Sequence, residues 1–277
     1  MTNRFPDPTP EHSLQFLKLG GSLITNKRRE GEARLEVITR LAREIARARE
    51  NHPELSLIIG HGSGSFGHVP ADKFGTRQGV QTASQWLGFA EVWFQASALN
   101  RLVVNALYAA GLPVISLPPS AMVTGLDGAV GAWDLAPLRA ALAANLLPVV
   151  YGDVIFDRKL GGTIFSTEDL FSYLARQLKP ARLLLAGTEP GVWADFPART
   201  RLIDLISPGN YAQVSPALGG SAGTDVTGGM ASKVLEMLEL VQSVNNLEVC
   251  IFSGEVPGEV QRVLLGETSG TVIRLAG

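Results

Sequence analysis

The sequence predicts an α/β fold with a mainly parallel central sheet, and three observations carry that prediction. Short apolar runs of strand length alternate with longer segments of helical periodicity. Several of the apolar runs stop at glycine, and the chain holds 30 glycines, about 11% where about 7% is usual. Apolar residues make up 45% of the 277 residues, enough for a full core.

Residues 1–12 carry three prolines and few apolar side chains, which predicts a frayed tail. Leu14 to Leu19 reads as a strand ending at Gly20-Gly21-Ser22. In 33–49, Leu35, Ile38, Leu41, Ala42 and Ile45 fall at helical spacing. Leu55 to Ile59 is a second strand, 82–110 one long helix or two, and Pro113 to Leu117 a third strand. A helix over 134–146 leads to a strand at Leu147–Tyr151. Val154–Phe156 and Thr163–Phe165 predict a hairpin around the turn-like 157–162. A helix over 167–178 has Ser166 or Thr167 as its N-cap. After a strand at Arg182–Ala186, 190–225 reads as loop-rich. A helix over 230–243 is expected to turn Val234, Leu235, Leu238 and Val241 inward, followed by strand 247–252, helix 257–265 and strand 270–275. No linker cuts the chain, so 13–277 is expected to be a single domain, with a soft boundary near residue 178.

Composition excludes several classes. A net charge of −2 does not suit a strongly basic nucleic-acid binder. The single cysteine, Cys250, excludes an intrachain disulfide framework and fits a reducing, cytoplasmic compartment. No apolar run approaches the roughly 18 residues that span a bilayer, and no secretory signal is visible.

Three glycine clusters can bring backbone N–H groups against an anion, which a Cβ would prevent. The first is Lys18-Leu19-Gly20-Gly21-Ser22, with Lys27 nine positions after Lys18. Two lysines flanking a glycine turn suit a transferring phosphoryl group, and equally a plain turn with solvated lysines. The second is His61 to His68. Gly62, Gly64 and Gly67 satisfy G-x-G-x-x-G, but 82–90 supplies neither the acid nor the strand that a dinucleotide site requires. What is left is an anion-binding loop with His68 near its end, as a hydrogen-bond donor to a phosphate oxygen or as a structural cap. The third, Thr224 to Lys233, opens an amphipathic helix. Lys233 in its first turn works against the helix dipole, which is better explained if it faces phosphates.

Tyr151-Gly152-Asp153 places backbone and a carboxylate after a buried strand, and Asp153 is a candidate to orient a lysine or a magnesium ion. Glu168 and Asp169 open a helix, where acids orient a lysine or a magnesium ion, or merely cap the helix. P-loop, zinc and G-x-S-x-G spacings are absent, so no direct protein ligand to a metal is predicted.

Taken together, LKLGGSLITNK (17–27), HGSGSFGHVPA (61–71), LGFA (87–90), PVVYGDV (148–154), GTIFSTEDL (162–170), GVW (191–193) and TDVTGGMASK (224–233) resemble the amino acid kinase superfamily, and within it the isopentenyl phosphate kinases. The motifs run in family order over about 260 residues. The resemblance implies an open αβα sandwich, usually homodimeric, with an acceptor lobe (about 13–178) and a nucleotide lobe (about 179–277). It implies transfer of the γ-phosphoryl group of Mg2+-ATP to isopentenyl phosphate, an isoprenoid-forming reaction. Lys18, Gly20, Gly21 and Ser22 match the segment holding the transferring phosphates, and Lys27 a transition-state lysine. Ser63, His68 and Gly152 match acceptor contacts. Gly64, Glu189, Gly229 and Lys233 match the nucleotide side.

An ionised phosphate acceptor needs no general base, only alignment and neutralisation of crowded charge. Its apolar tail needs an apolar pocket, for which Trp86, Leu87, Phe89, Val92 and Trp93 are candidates alongside ordinary core packing. Two departures stand out. Ser166-Thr167-Glu168 replaces the usual Ser-Gly-Asp, so either the orienting acid is one carbon longer or Asp169 substitutes. Thr188-Glu189-Pro190-Gly191-Val192-Trp193 is one residue shorter than the family's nucleotide-side segment. Competing expectations are a kinase for another small phosphate or phosphonate, and a non-catalytic nucleotide-binding protein on the same fold.

Overall fold

A computed structural model describes residues 14–218 and 229–275. The expected frayed tail and the Thr224–Gly228 part of the third glycine cluster lie outside the described residues.

The strands are β1 (Leu14–Leu19), β2 (Ser56–His61), β3 (Val114–Ser116), β4 (Val123–Leu126), β5 (Ala129–Trp133), β6 (Leu147–Tyr151), β7 (Asp153–Asp157), β8 (Gly161–Phe165), β9 (Arg182–Gly187), β10 (Leu205–Ile206), β11 (Glu248–Ser253) and β12 (Thr271–Ile273). The large sheet has the order β10-β12-β11-β9-β1-β2-β6-β3, and only β12 against β11 is antiparallel. A second sheet, β5-β4-β7-β8, carries two antiparallel hairpins. In the large sheet β1 is the divide: β2, β6 and β3 lie on one side and β9, β11, β12 and β10 on the other.

The helices are α1 (Gly21–Ile24), α2 (Leu35–Asn51), α3 (Gly64–Phe74), α4 (Ala83–Ala109), α5 (Pro119–Met122), α6 (Ala136–Ala143), α7 (Thr167–Leu178), α8 (Tyr211–Val214), α9 (Gly229–Ser243) and α10 (Glu259–Leu264). Strand periodicity distributes the core. In β1, Phe16 joins a cluster with Leu170, Phe171 and Leu174 of α7 and Val234, Met237 and Leu238 of α9. Leu17 and Leu19 join the opposite cluster, with Ile38, Leu41 and Ile45 of α2, Leu99 and Val103 of α4, and Val260 and Val263 of α10. The result is the αβα sandwich. Lys18, by the same alternation, falls on the Phe16 face, toward α7 and α9.

Most expected elements are present, and the 82–110 segment is one helix, opened by a Thr82–Gln85 capping box. Four expectations change. The glycine loop ending at His68 is instead a short turn followed by α3, so His68 sits inside a helix. The helices expected over 134–146 and 257–265 shorten to 136–143 and 259–264. Leu235 is 45% exposed, because the buried face of α9 is Val234, Met237, Leu238 and Val241, spaced i, i+3, i+4, i+7. The hairpin of β4 and β5 was not expected. Its turn residues Asp127 and Gly128 both have positive φ, 56° and 77°, the conformation an Asp-Gly hairpin turn adopts. Among the described residues no helix is long and apolar enough to cross a membrane.

Candidate active site

Strands β1, β2, β6 and β9 are parallel, so their C-terminal ends share one edge. Ligands of open α/β sheets bind at such an edge. The loops leaving it are tied backbone to backbone. Gly20 N donates to Ala186 O (2.8 Å), Gly62 N to Leu19 O (3.1 Å), Gly152 N to His61 O (3.2 Å) and Gly254 N to Gly187 O (2.8 Å).

The first two glycine clusters press against each other. A Cβ on Gly21 would lie 2.5 Å from Gly64 N, and one on Gly62 would lie 2.9 Å from Gly21 N. Gly64 has φ +49°, and a Cβ there would sit against Thr25 Oγ1. Thr25 joins the two loops: its hydroxyl donates to Gly21 O (2.8 Å) and accepts from Ser65 N (3.1 Å). Gly21→Ala is therefore expected to lower unfolding stability by about 2–3 kcal/mol, since the obstruction is backbone and cannot rotate away. Gly209→Ala, whose Cβ would meet only Ser207 Oγ at 3.7 Å, is the matched control. Denaturant midpoints compare the two, and equal midpoints would refute the packing argument.

Ser22 lies half-buried in α1, and Ser63 half-buried at the N-cap of α3. A Cβ on Gly67 would clash with Ser63 Oγ, so the small residue leaves room for that hydroxyl. His68 is exposed in the second turn of α3. Lys27 is exposed in the turn that follows α1.

Charge gathers beside these loops. Nζ of Lys18, which is 8% exposed, pairs with the carboxylate of Glu168 in the first turn of α7. Nζ of Lys233, in the first turns of α9, lies 3.6 Å from the same Oε1. Burial alone would push the Glu168 carboxyl up, but the ammonium groups of Lys18 and Lys233 overcome it and hold it at about 2. Burial lowers the Lys18 pKa, with Glu168 opposing and Lys233 adding to the shift. Glu236 stands nearby and accepts from Ser172 Oγ (2.8 Å). Burial raises its pKa, and the charges of Asp169 and Glu168 raise it further.

The two acids that open α7 separate cleanly. Asp169 closes a capping box with Ser166: Ser166 N donates to Asp169 Oδ2 (2.8 Å) and Asp169 N to Ser166 Oγ (3.1 Å). Arg77 Nη2 also donates to it (3.3 Å). Glu168, not Asp169, meets the lysines. Asp153, expected to orient a lysine or a metal, is instead fully buried and accepts from Ser120 N (3.1 Å) and Val154 N (2.9 Å). Burial raises its pKa to about 6 against those donors.

Glu189 follows β9 and accepts from Trp193 Nε1 (2.8 Å) and Arg199 Nη1 (3.2 Å). Gly229, with φ +72°, opens α9. Gly152 would tolerate a Cβ at ordinary contact distances, 3.4 Å and beyond, so close packing does not require it to be glycine.

The aromatic candidates on α4 divide. Phe89 is 6% exposed and meets Trp86 at 5.2 Å and Phe156 of β7 at 5.1 Å between ring centroids. Val92, Val80 and Val154 complete that small cluster. Leu87 is 73% exposed and Trp93 46% exposed. Two positions along a helix turn a side chain by about 200°, so Leu87 points away from the Phe89 cluster. Sequence reasoning missed Thr25, Phe156, Glu236 and the buried His61. His61 and Thr25 lay within motifs already singled out, the glycine cluster from 61 and the 17–27 segment, but neither was given a role.

The model of the amino acid kinase family matches residues 13–253. Among curated relatives, isopentenyl phosphate kinase of Methanothermobacter thermautotrophicus is 36% identical over 91% of this chain and 95% of its own. That of Methanocaldococcus jannaschii is 31% identical over 94% and 98%. A crystal structure of an isopentenyl phosphate kinase superposes with a TM-score of 0.79 at 32% identity, covering 94% of this chain and 99% of the other.

Proposed function

The chain belongs to the amino acid kinase family, and from that premise we propose that it transfers the γ-phosphoryl group of ATP to isopentenyl phosphate, forming isopentenyl diphosphate and ADP. The observation that carries this reading is the Lys18–Glu168–Lys233 cluster set against the two interlocked glycine loops. An oxygen of the acceptor phosphate attacks the γ-phosphorus, and the bond from that phosphorus to the β,γ-bridging oxygen breaks. ADP leaves with the electron pair. The attacking oxygen is already ionised, so no proton must be removed.

In this reading Lys18, Gly20, Gly21 and Ser22 hold the transferring group, and Lys27 closes onto it from its exposed turn. Gly64, Gly229, Lys233 and Glu189 serve the nucleotide. Ser63, His68 and Gly152 receive the acceptor phosphate, and the Phe89–Trp86–Phe156 cluster, with Trp93 beyond it, takes the apolar tail. Mg2+ enters as the counter-ion of the nucleotide phosphates, as part of the substrate. One observation supports that assignment. The carboxylate of Glu168 is already taken by two lysines. A homodimer in the cytoplasm, as the family resemblance and the single buried Cys250 suggest, completes the proposal.

A coupled assay with ATP and a panel of alkyl phosphates, phosphonates and carboxylates tests it. Turnover should be best with the branched five-carbon phosphate, and turnover of the others without it would refute the reading. His68→Ala should cut kcat/KM for the acceptor about tenfold or more, the loss expected for a charge-assisted contact. Unchanged acceptor kinetics would remove His68 from the site.

A further inference from the structure

His61 closes β2 directly beneath the second glycine loop and is wholly buried. Its ring stacks on Tyr151, 5.4 Å between centroids and 5° from parallel. Nδ1 lies 3.1 Å from Gly62 O, and Nε2 lies 3.2 Å from Oδ1 of the Asn100 side-chain amide. The other end of that amide meets Ser116 Oγ at 2.8 Å. The His61 carbonyl accepts from Thr167 Oγ1 (2.6 Å), beside Glu168, and from Gly152 N (3.2 Å). One residue thus touches the β2–α3 loop, the start of α7 and the Gly152 segment.

Burial lowers the pKa of this imidazole and keeps it neutral, so it carries one N–H. The two ring nitrogens face different kinds of partner. A backbone carbonyl can only accept. A carboxamide presents a donor or an acceptor according to which way it is turned, and the Ser116 hydroxyl suits either orientation. Turning the Asn100 amide by 180°, so that Nδ2 rather than Oδ1 faces the ring, satisfies every group: Nδ1–H donates to Gly62 O, Asn100 Nδ2 donates to Nε2, and Ser116 Oγ donates to Asn100 Oδ1. The opposite tautomer would set a nitrogen lone pair against Gly62 O inside the core, an uncompensated burial.

We propose that His61 is a positioning residue for the acceptor phosphate, its Nδ1–H drawing the Gly62 carbonyl into the core so that the Ser63 N–H on the opposite edge of the same peptide faces the cleft. A trans peptide is planar with C=O and N–H antiparallel, so fixing one direction fixes the other. Among the described residues the Ser63 N–H has no protein acceptor, and a phosphate oxygen supplies one. The inference rests on the acceptor reading above and adds to it the device that orients one of its donors.

Two variants separate this from a merely structural role. In His61→Asn the amide nitrogen stands roughly where Nδ1 was, and in His61→Gln roughly where Nε2 was. Expected are an acceptor kcat/KM within about threefold of wild type for His61→Asn, a loss of about tenfold or more for His61→Gln, and an unchanged KM for ATP in both. Equal losses in the two, or a better His61→Gln, would overturn the proposal. In the unmodified protein, 15N NMR of the imidazole should show a protonated Nδ1 and a bare Nε2. The reverse tautomer refutes it even if neither variant folds. Titration with inorganic phosphate, which should bind wild type and His61→Asn more tightly than His61→Gln, keeps the test independent of which organic acceptor is used.

Discussion

Replacing Lys18 by methionine is expected to lower kcat by about 10²–10³-fold while the fold survives. Strand alternation puts Lys18 on the Phe16 face of β1, so its apolar stem is packed and its ammonium delivered at the strand end. Methionine keeps that stem and removes only the charge. Glu168 retains Lys233 at 3.6 Å, so its carboxylate is not stranded. An ammonium fixed in a water-poor site acts on charge that develops during transfer and costs no reorganisation when the reaction occurs. The loss should therefore fall on kcat, with ATP affinity by calorimetry nearly unchanged. A kcat within tenfold of wild type would show that Lys18 is structural.

Glu168→Gln is expected to damage both stability and rate. The amide is close in shape but cannot balance two ammonium groups, one buried and one half-buried, so Lys18 and Lys233 repel across it. The wild-type carboxyl is held at about 2 against an ordinary 4.5. Because its folded pKa is the lower one, its stabilisation is complete above the unfolded value. It is lost as pH falls from about 4.5 through about 2. At neutral pH the shift corresponds to about 3 kcal/mol. Urea unfolding should show wild type more stable by that order at pH 7, with the gap narrowing by pH 3. A gap that does not depend on pH would refute the electrostatic account. The kcat should fall about 10²-fold, because misplacing a lysine by about an ångström costs on that order.

Glu168 shows where the sequence spoke and where it stayed ambiguous. Two adjacent acids at 168 and 169 offered two candidates for the lysine partner. Ser166 and Asp169 stand three apart before an apolar run, the spacing of a capping box, and that spacing already assigns Asp169 to the backbone. Periodicity revealed β1, β2, α2, α4 and the β7–β8 hairpin, because each has a buried face that repeats. The β4–β5 hairpin stayed hidden because its strands are short and mostly half-buried or exposed, though Asp127-Gly128 marked its turn. Three glycines and Pro70 within 62–70 masked α3, since such residues disfavour a helix interior. Thr25 lies inside the 17–27 segment, yet nothing in its neighbours along the chain marks its hydroxyl. Its role exists only because two loops, 40 residues apart along the chain, converge on its hydroxyl.

The central place of β1 also governs how the protein is made. The strand LQFLKL leaves the ribosome before the other described strands, and one of its two neighbours, β2, follows soon after. The other, β9, begins only at Arg182. Until then β1 is a hydrophobic edge with unpaired backbone groups, the kind of edge that recruits foreign strands. The same strand carries Lys18, so the nascent chain keeps this edge open until synthesis reaches β9, and the site waits further for α9 to deliver Lys233. Docking of β9 onto β1 thus closes the exposed edge and is a precondition for assembling the site around Lys18.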